Sequence, residues 1–150
     1  MNSNLCTLAN VLISLNLECR VSSADNVIQF TVDDLDESLV LGVGLNEAAT
    51  HLLFTCNLGK PFRKSNAFAG LYEIIAALNL QESFGVSTFD ANEGQVRYRI
   101  THFIGSSDLT SEVADQLTRS FIGGIYMNFP VFEHYRSTSR VRAALAKAIT

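Results

Sequence analysis

Apolar residues recur along this chain with two alternating periods. Leu5, Leu8, Leu12 and Leu15, with Val11 beside them, keep helical spacing, and Ser3 or Asn4 can cap their start. This predicts a first amphipathic helix over residues 4–16, ending at Asn16. The period then shortens to two. Leu17, Cys19 and Val21 alternate with Glu18 and Arg20; Ile28, Phe30 and Val32 alternate with Gln29 and Thr31. Leu39, Leu41, Val43 and Leu45 share one side opposite Gly42 and Gly44, and Leu52, Phe54 and Cys56 form the last set. Four short strands joined by polar turns predict an antiparallel meander.

Gly59 and Pro61 break that pattern, and a second helix is predicted from Ser65 or Asn66 to Asn79. Its expected apolar face is Phe68, Leu71, Tyr72, Ile75 and Leu78, beside the helix-favouring alanines 67, 69, 76 and 77. FGVSTFD, ANEG and QVRYRITHFI then read as a hairpin over residues 84–104. With Asp90 opposite Gln95, Phe89 meets Val96, Ser87 meets Tyr98 and Gly85 meets Ile100. Val96, Tyr98, Ile100 and Ile104 fall on one face; Arg97 and Arg99 fall on the other. Thr110 is the expected cap of a third helix, with Glu112 and Asp115 suiting its positive end. Val113, Leu117, Phe121 and Ile125 form its stripe, which Gly123 and Gly124 weaken. Pro130 is expected to separate it from a last helix near 131–148, whose apolar positions are Phe132, Tyr135, Val141 and Leu145.

The predicted order is α-ββββ-α-ββ-αα. The fold class is α+β, a twisted antiparallel sheet of five to six strands packed by helices, in a single domain spanning 1–150. Hydrophobic residues make up 47% of the chain and charged residues 17%, below the roughly 25% of average domains. Some apolar surface is therefore expected to lie against a second copy or another partner. The net charge of −4 argues against a nucleic-acid or anionic-membrane partner. Acidic groups gather in residues 1–60, including the run Asp33, Asp34, Asp36 and Glu37, read as a solvated turn; Arg136, Arg140, Arg142 and Lys147 gather near the C-terminus. No run approaches the ~18 apolar residues of a membrane span, and MNSNLCTLAN lacks a basic leader region, so a cytoplasmic protein is expected.

Reactive constellations are absent from the sequence pattern. Cys6, Cys19 and Cys56 are odd in number and form no CxxC, which suits reduced thiols. Cys56 on an apolar strand face reads as an inert buried thiol rather than a nucleophile paired with His51 or His102. His51, His102 and His134 have no ligand partner at helical spacing, and no phosphate-loop or nucleophile-elbow motif occurs. No catalytic residue, metal site or cofactor is therefore expected. Arg97 and Arg99 are the candidate contacts for a partner or an anionic ligand; cross-strand pairing with Asp or Glu is their commoner use.

Three segments together resemble the YbjN-like proteins, which share the type III secretion chaperone-like fold. They are the Ser65–Asn79 helix, the FDANEGQVRYRI hairpin and LTSEVADQLTRSFIGGIYMNFPVF, so the resemblance covers roughly residues 60–132. In that family an acidic turn with glycine precedes an arginine-bearing strand, then a helix start of this type and a proline. Here these are Asp90, Glu93, Gly94, Arg97, Arg99, Leu109, Thr110, Glu112 and Pro130. The resemblance implies an α+β sandwich, dimerisation, a bacterial setting and a chaperone-like or regulatory role exerted through protein contacts. It supplies no cofactor and no catalytic position. The expected function is a non-enzymatic protein-binding homodimer with an unidentified protein partner. The alternative is a small anionic-ligand sensor using Arg97 and Arg99.

Overall fold

In the computed structural model, residues 1–36 and 39–149 are described. Helix α1 spans Ser3–Ser14 and is capped by Asn2, whose side chain accepts from the Asn4 amide at 2.8 Å, one residue before the expected cap. The chain turns at Asn16 in the left-handed region (φ 59°). Strands β1 (Glu18–Ser22), β2 (Val27–Thr31), β3 (Leu41–Leu45) and β4 (His51–Asn57) form the expected meander. A 3-10 turn at Ser65–Ala67 leads into α2, Phe68–Gln81. Strands β5 (Val86–Asp90) and β6 (Gln95–Phe103) form the hairpin, and α3 follows over Ser111–Thr138. Helix α4 (Val141–Leu145) and a 3-10 turn, Ala146–Ile149, end the described chain.

The six strands make one antiparallel sheet in the order β1-β2-β3-β4-β6-β5. The hairpin register is the one the sequence predicts: Asp90 opposite Gln95, Phe89 opposite Val96 and Ser87 opposite Tyr98. Gly85 lies one residue before β5. Alternation places Ile28, Phe30, Leu41, Val43, Leu52, Phe54, Cys56, Val96, Tyr98 and Ile100 on one face, all buried. The helices pack on that face. Leu5, Leu8 and Leu12 of α1 and Leu117, Phe121, Ile125, Val131 and Phe132 of α3 complete the core.

Three expectations need correction. Helix α3 does not stop at Pro130; it runs through it to Thr138, so Phe132 and Tyr135 belong to α3 and the last helix is only Val141–Leu145. An internal proline costs about 3 kcal/mol. Burying Val131, Phe132 and Tyr135 beyond it returns about 1.5–3 kcal/mol each, which outweighs the break. The helix ends instead at Ser139, in the left-handed region, whose amide donates to the Tyr135 carbonyl at 2.8 Å. On α2 the buried stripe is Leu71, Ile74 and Leu78; Tyr72 is 52% exposed. Phe68 and Tyr72 turn sideways instead, edge-on to Phe89 of β5 at 4.8 and 5.4 Å. The acidic connection after β2 is solvated at Asp33, Asp34 and Asp36, but it also seats Leu35 in the core. Glu37 lies outside the described residues.

The adjacent glycines of α3 have opposite duties. A Cβ on Gly124 would collide with the ring and hydroxyl of Tyr98, and one on Gly85 would meet the same hydroxyl. Tyr98 fits beneath α3 only because both positions are bare. Nothing lies within 4 Å of the corresponding point on Gly123, which gains no packing for the helix propensity it forfeits. Gly123→Ala should therefore stabilise the protein by about 0.5–1 kcal/mol. Gly124→Ala should destabilise it by about 1–3 kcal/mol through overpacking. Urea unfolding of the two variants reads both signs, and a stabilised Gly124→Ala would contradict the close approach of α3 to Tyr98.

Candidate functional site

The face of the sheet away from the helices is built by the other half of the strand alternation. One row crosses it as Arg20, Gln29, Gly42, Thr55, Arg99 and Val86. Arg20, Gln29, Thr55 and Arg99 are exposed. A depression of about 310 Å³ at the β1–β2 end of this face is lined by Glu18, Arg20, Gln29, Thr31 and Val40.

The two candidate arginines have different fates. Arg97 is held by its neighbours: Nη2 reaches Glu93 Oε2 at 2.7 Å, Nη1 reaches Asp90 Oδ2 at 3.5 Å, and Nε donates to Asn57 Oδ1 at 3.2 Å. Asp90 organises the hairpin turn. Its Oδ1 accepts from the Asn92 and Glu93 amides, and Gly94, at φ 70°, donates back to its carbonyl at 2.7 Å. The Glu93 amide is the main reason the Asp90 carboxyl lies below its ordinary range, with Asn92 and Arg97 adding to it. Arg99 is exposed, and among the described residues no hydrogen bond or ion pair holds its guanidinium.

The other sequence candidates stay apart. His51 accepts or donates at Thr50 Oγ1 (2.9 Å) and lies against Phe103, with 5.1 Å between ring centres. His102 pairs one register step away on β6, on the opposite face, and His134 lies in α3. Among the described residues no group of three metal-ligating side chains converges. Cys56 is on the covered face opposite Tyr98, and burial pushes its thiol up to about 12. His51 is on the other face, and His102 lies four residues along β6 from the Cys56 partner, roughly 13 Å away. Neither histidine can activate that thiol.

A set of exposed apolar side chains lies outside the sequence candidates. Tyr72, Leu80, Phe84 and Val86 follow α2 into β5 and are 52%, 88%, 69% and 40% exposed. The signal available for it was Leu80 and Phe84 falling outside every apolar stripe. A groove of about 530 Å³ beside Phe84 is lined by His102, Val113, Leu117 and Arg119. The β5 edge next to this patch is blocked at Ser87. Asn79 of α2 donates its amide to the Ser87 carbonyl at 2.9 Å and accepts the Ser87 N–H at 2.8 Å. The Ser87 hydroxyl turns inward to Asn128 of α3.

No family model matches the sequence, and no curated protein is similar to it. Solved structures are similar. YbjN from E. coli, named a candidate transcription regulator, superposes with a TM-score of 0.63 at 15% identity, over 82% of this chain and 86% of that one. A chain of the ExsC–ExsE complex gives 0.58 at 14%, over 83% and 92%. A chain of the HopA1–SchA chaperone–effector complex gives 0.55 at 16%, over 83% and 93%. The likeness is one of fold: the chain has the YbjN-like, type III secretion chaperone-like α+β architecture that residues 60–132 led one to expect. No described helix is long and apolar enough to cross a membrane.

Two measurements check the local electrostatics. In Arg97→Ala, the Asp90 carboxyl should still titrate below its ordinary value by NMR, because the Glu93 amide remains. Return to the ordinary value would make Arg97 the dominant partner. A carboxyl with a lowered folded pKa stabilises the fold above its unfolded pKa and loses that contribution as pH falls through the folded one. Cys56 should resist alkylation at pH 8 in the folded chain and react only on unfolding, which mass spectrometry of modified sites reads directly.

Proposed function

We propose that this chain is a non-enzymatic, chaperone-like protein-binding module that acts as a homodimer in the bacterial cytoplasm. The observation that carries the reading is its fold likeness, over most of the chain, to a component of a chaperone–effector complex. Two features of the chain support it. Its one buried thiol is kept protonated and away from both strand histidines. Four of its exposed large apolar side chains, Tyr72, Leu80, Phe84 and Val86, follow one another from α2 into β5.

The outward stripe of α2 is Ala69, Tyr72, Glu73, Ala76 and Leu80. Its alanines let another helix approach closely, and Tyr72 and Leu80 supply area to bury, so this is the dimer face in the reading. The open sheet face is left for the partner protein, with Arg99 as the cation that meets an acidic side chain of that partner. A small anionic ligand at Arg99 is the second reading, favoured by the same unpaired guanidinium. Arg97, already committed to Asp90 and Glu93, adds little to it.

Light scattering should give twice the 16.4 kDa chain mass, and Tyr72→Asp with Leu80→Asp should return it to that of one chain. A monomer at high concentration removes the dimer. A photo-crosslinking residue placed at Phe84 or Arg99 in the native cell should capture a second protein. Adducts of the chain with itself alone, at both positions, count against a client.

A further inference from the structure

We propose that the C-terminal segment Val141–Ile149 is a displaceable strap, seated in the groove where a bulkier apolar helix of the partner docks. The argument begins at its joint. Ser139 connects α3 to the segment at φ 57°, a left-handed conformation uncommon for a residue with a side chain. Helix α4 is five residues long, and no side chain caps its start at Arg140. A helix this short has no stability of its own and persists only through what it packs on.

What it packs on is α2 and α3. Val141, Ala144, Leu145 and Ala148 turn toward the core at spacings of three, four and seven, the pattern of a docked amphipathic helix. Among the strap residues whose burial is described, only Ala144 is fully buried, and it is the smallest apolar side chain. The fit is incomplete. An open cleft of about 260 Å³ remains between the strap residues Arg142, Leu145, Ala146 and Ala148 and the α2 residues Ala77, Leu78 and Gln81. Contacts forfeited across such a gap leave the segment among the weakest cooperative units of a fold.

The strap thus records the chemistry of its competitor. A helix with the same spacing, but with leucine-sized side chains where the strap has Ala146 and Ala148, fills the gap and displaces it. Docking of the partner's helix then begins with release of this segment. The biological use of the strap rests on the protein-binding reading; its exchange is a property of this chain alone, so the two fail separately.

Hydrogen exchange of the full chain, followed residue by residue by NMR, is the first test. The Ala144 amide, bonded to the Arg140 carbonyl at 3.0 Å, should exchange at least a hundredfold faster than those of Phe121 and Ile125 in α3. Ala148→Leu should fill the cleft and slow strap exchange tenfold or more. The second test is a fluorescent peptide of residues 139–150 carrying Ala146→Leu and Ala148→Leu. It should bind the full chain with Ala144→Asp at least tenfold tighter than the unsubstituted chain. Equal exchange of strap and α3 overturns the proposal, as does a folded Ala144→Asp chain with no gain in peptide affinity. If Ala144→Asp does not fold, exchange of the unsubstituted chain and of Ala148→Leu decides the matter.

Discussion

The structure depends on how closely α3 can approach the sheet above Tyr98. That side chain is fully buried, and its ring lies nearly parallel to Phe121 of α3, with centres 5.9 Å apart and planes at 21°. Phe121 in turn meets Phe54 of β4 at 5.3 Å and Phe30 of β2 at 6.4 Å. One aromatic column therefore clamps the longest helix to three strands. The phenol needs an outlet for its polar end, which Glu82 provides at 3.0 Å. Burial and the Glu82 charge both push that phenol above its ordinary range, so it stays a neutral hydrogen-bond donor.

The remaining helices take their places from α3. The Asn4 side chain of α1 accepts from the Leu109 amide just before α3 begins, at 2.8 Å. The Tyr135 hydroxyl donates to the Ala67 carbonyl where α2 begins, at 2.9 Å. Arg136 lies 4.0 Å above the Phe62 ring and donates to the Lys60 carbonyl, fixing the loop between β4 and α2. A helix interrupted at Pro130 would lose both of these last anchors. Its continuity is what joins the two ends of the helical layer.

Strand alternation was legible because period-two patterns need no knowledge of neighbours. The meander, the hairpin register and the apolar face of β6 all follow from local order in the chain. Helix features that depend on a distant partner were not legible. Gly124 looks like a weakness until Tyr98 is placed under it. Pro130 looks like a stop until the burial of Phe132 and Tyr135 is counted. The α2 stripe was rotated because Tyr72 and Phe68 answer to Phe89, a residue of another element. At the candidate site, the arginine alternation was visible, yet nothing in the sequence assigns Asp90, Glu93 and Asn57 to Arg97 alone. Those contacts come from a turn and from a strand forty residues upstream.

The amide bracket that Asn79 places on Ser87 also bears on how copies of this sheet can add to one another. Fibrous growth by strand pairing requires every molecule to offer two usable borders, one to accept and one to extend. Here one border already has the outward donor and acceptor of Ser87 occupied from within. A strand added at that border must first break the bracket, so a single side chain biases pairing toward the opposite border, where two molecules join back to back.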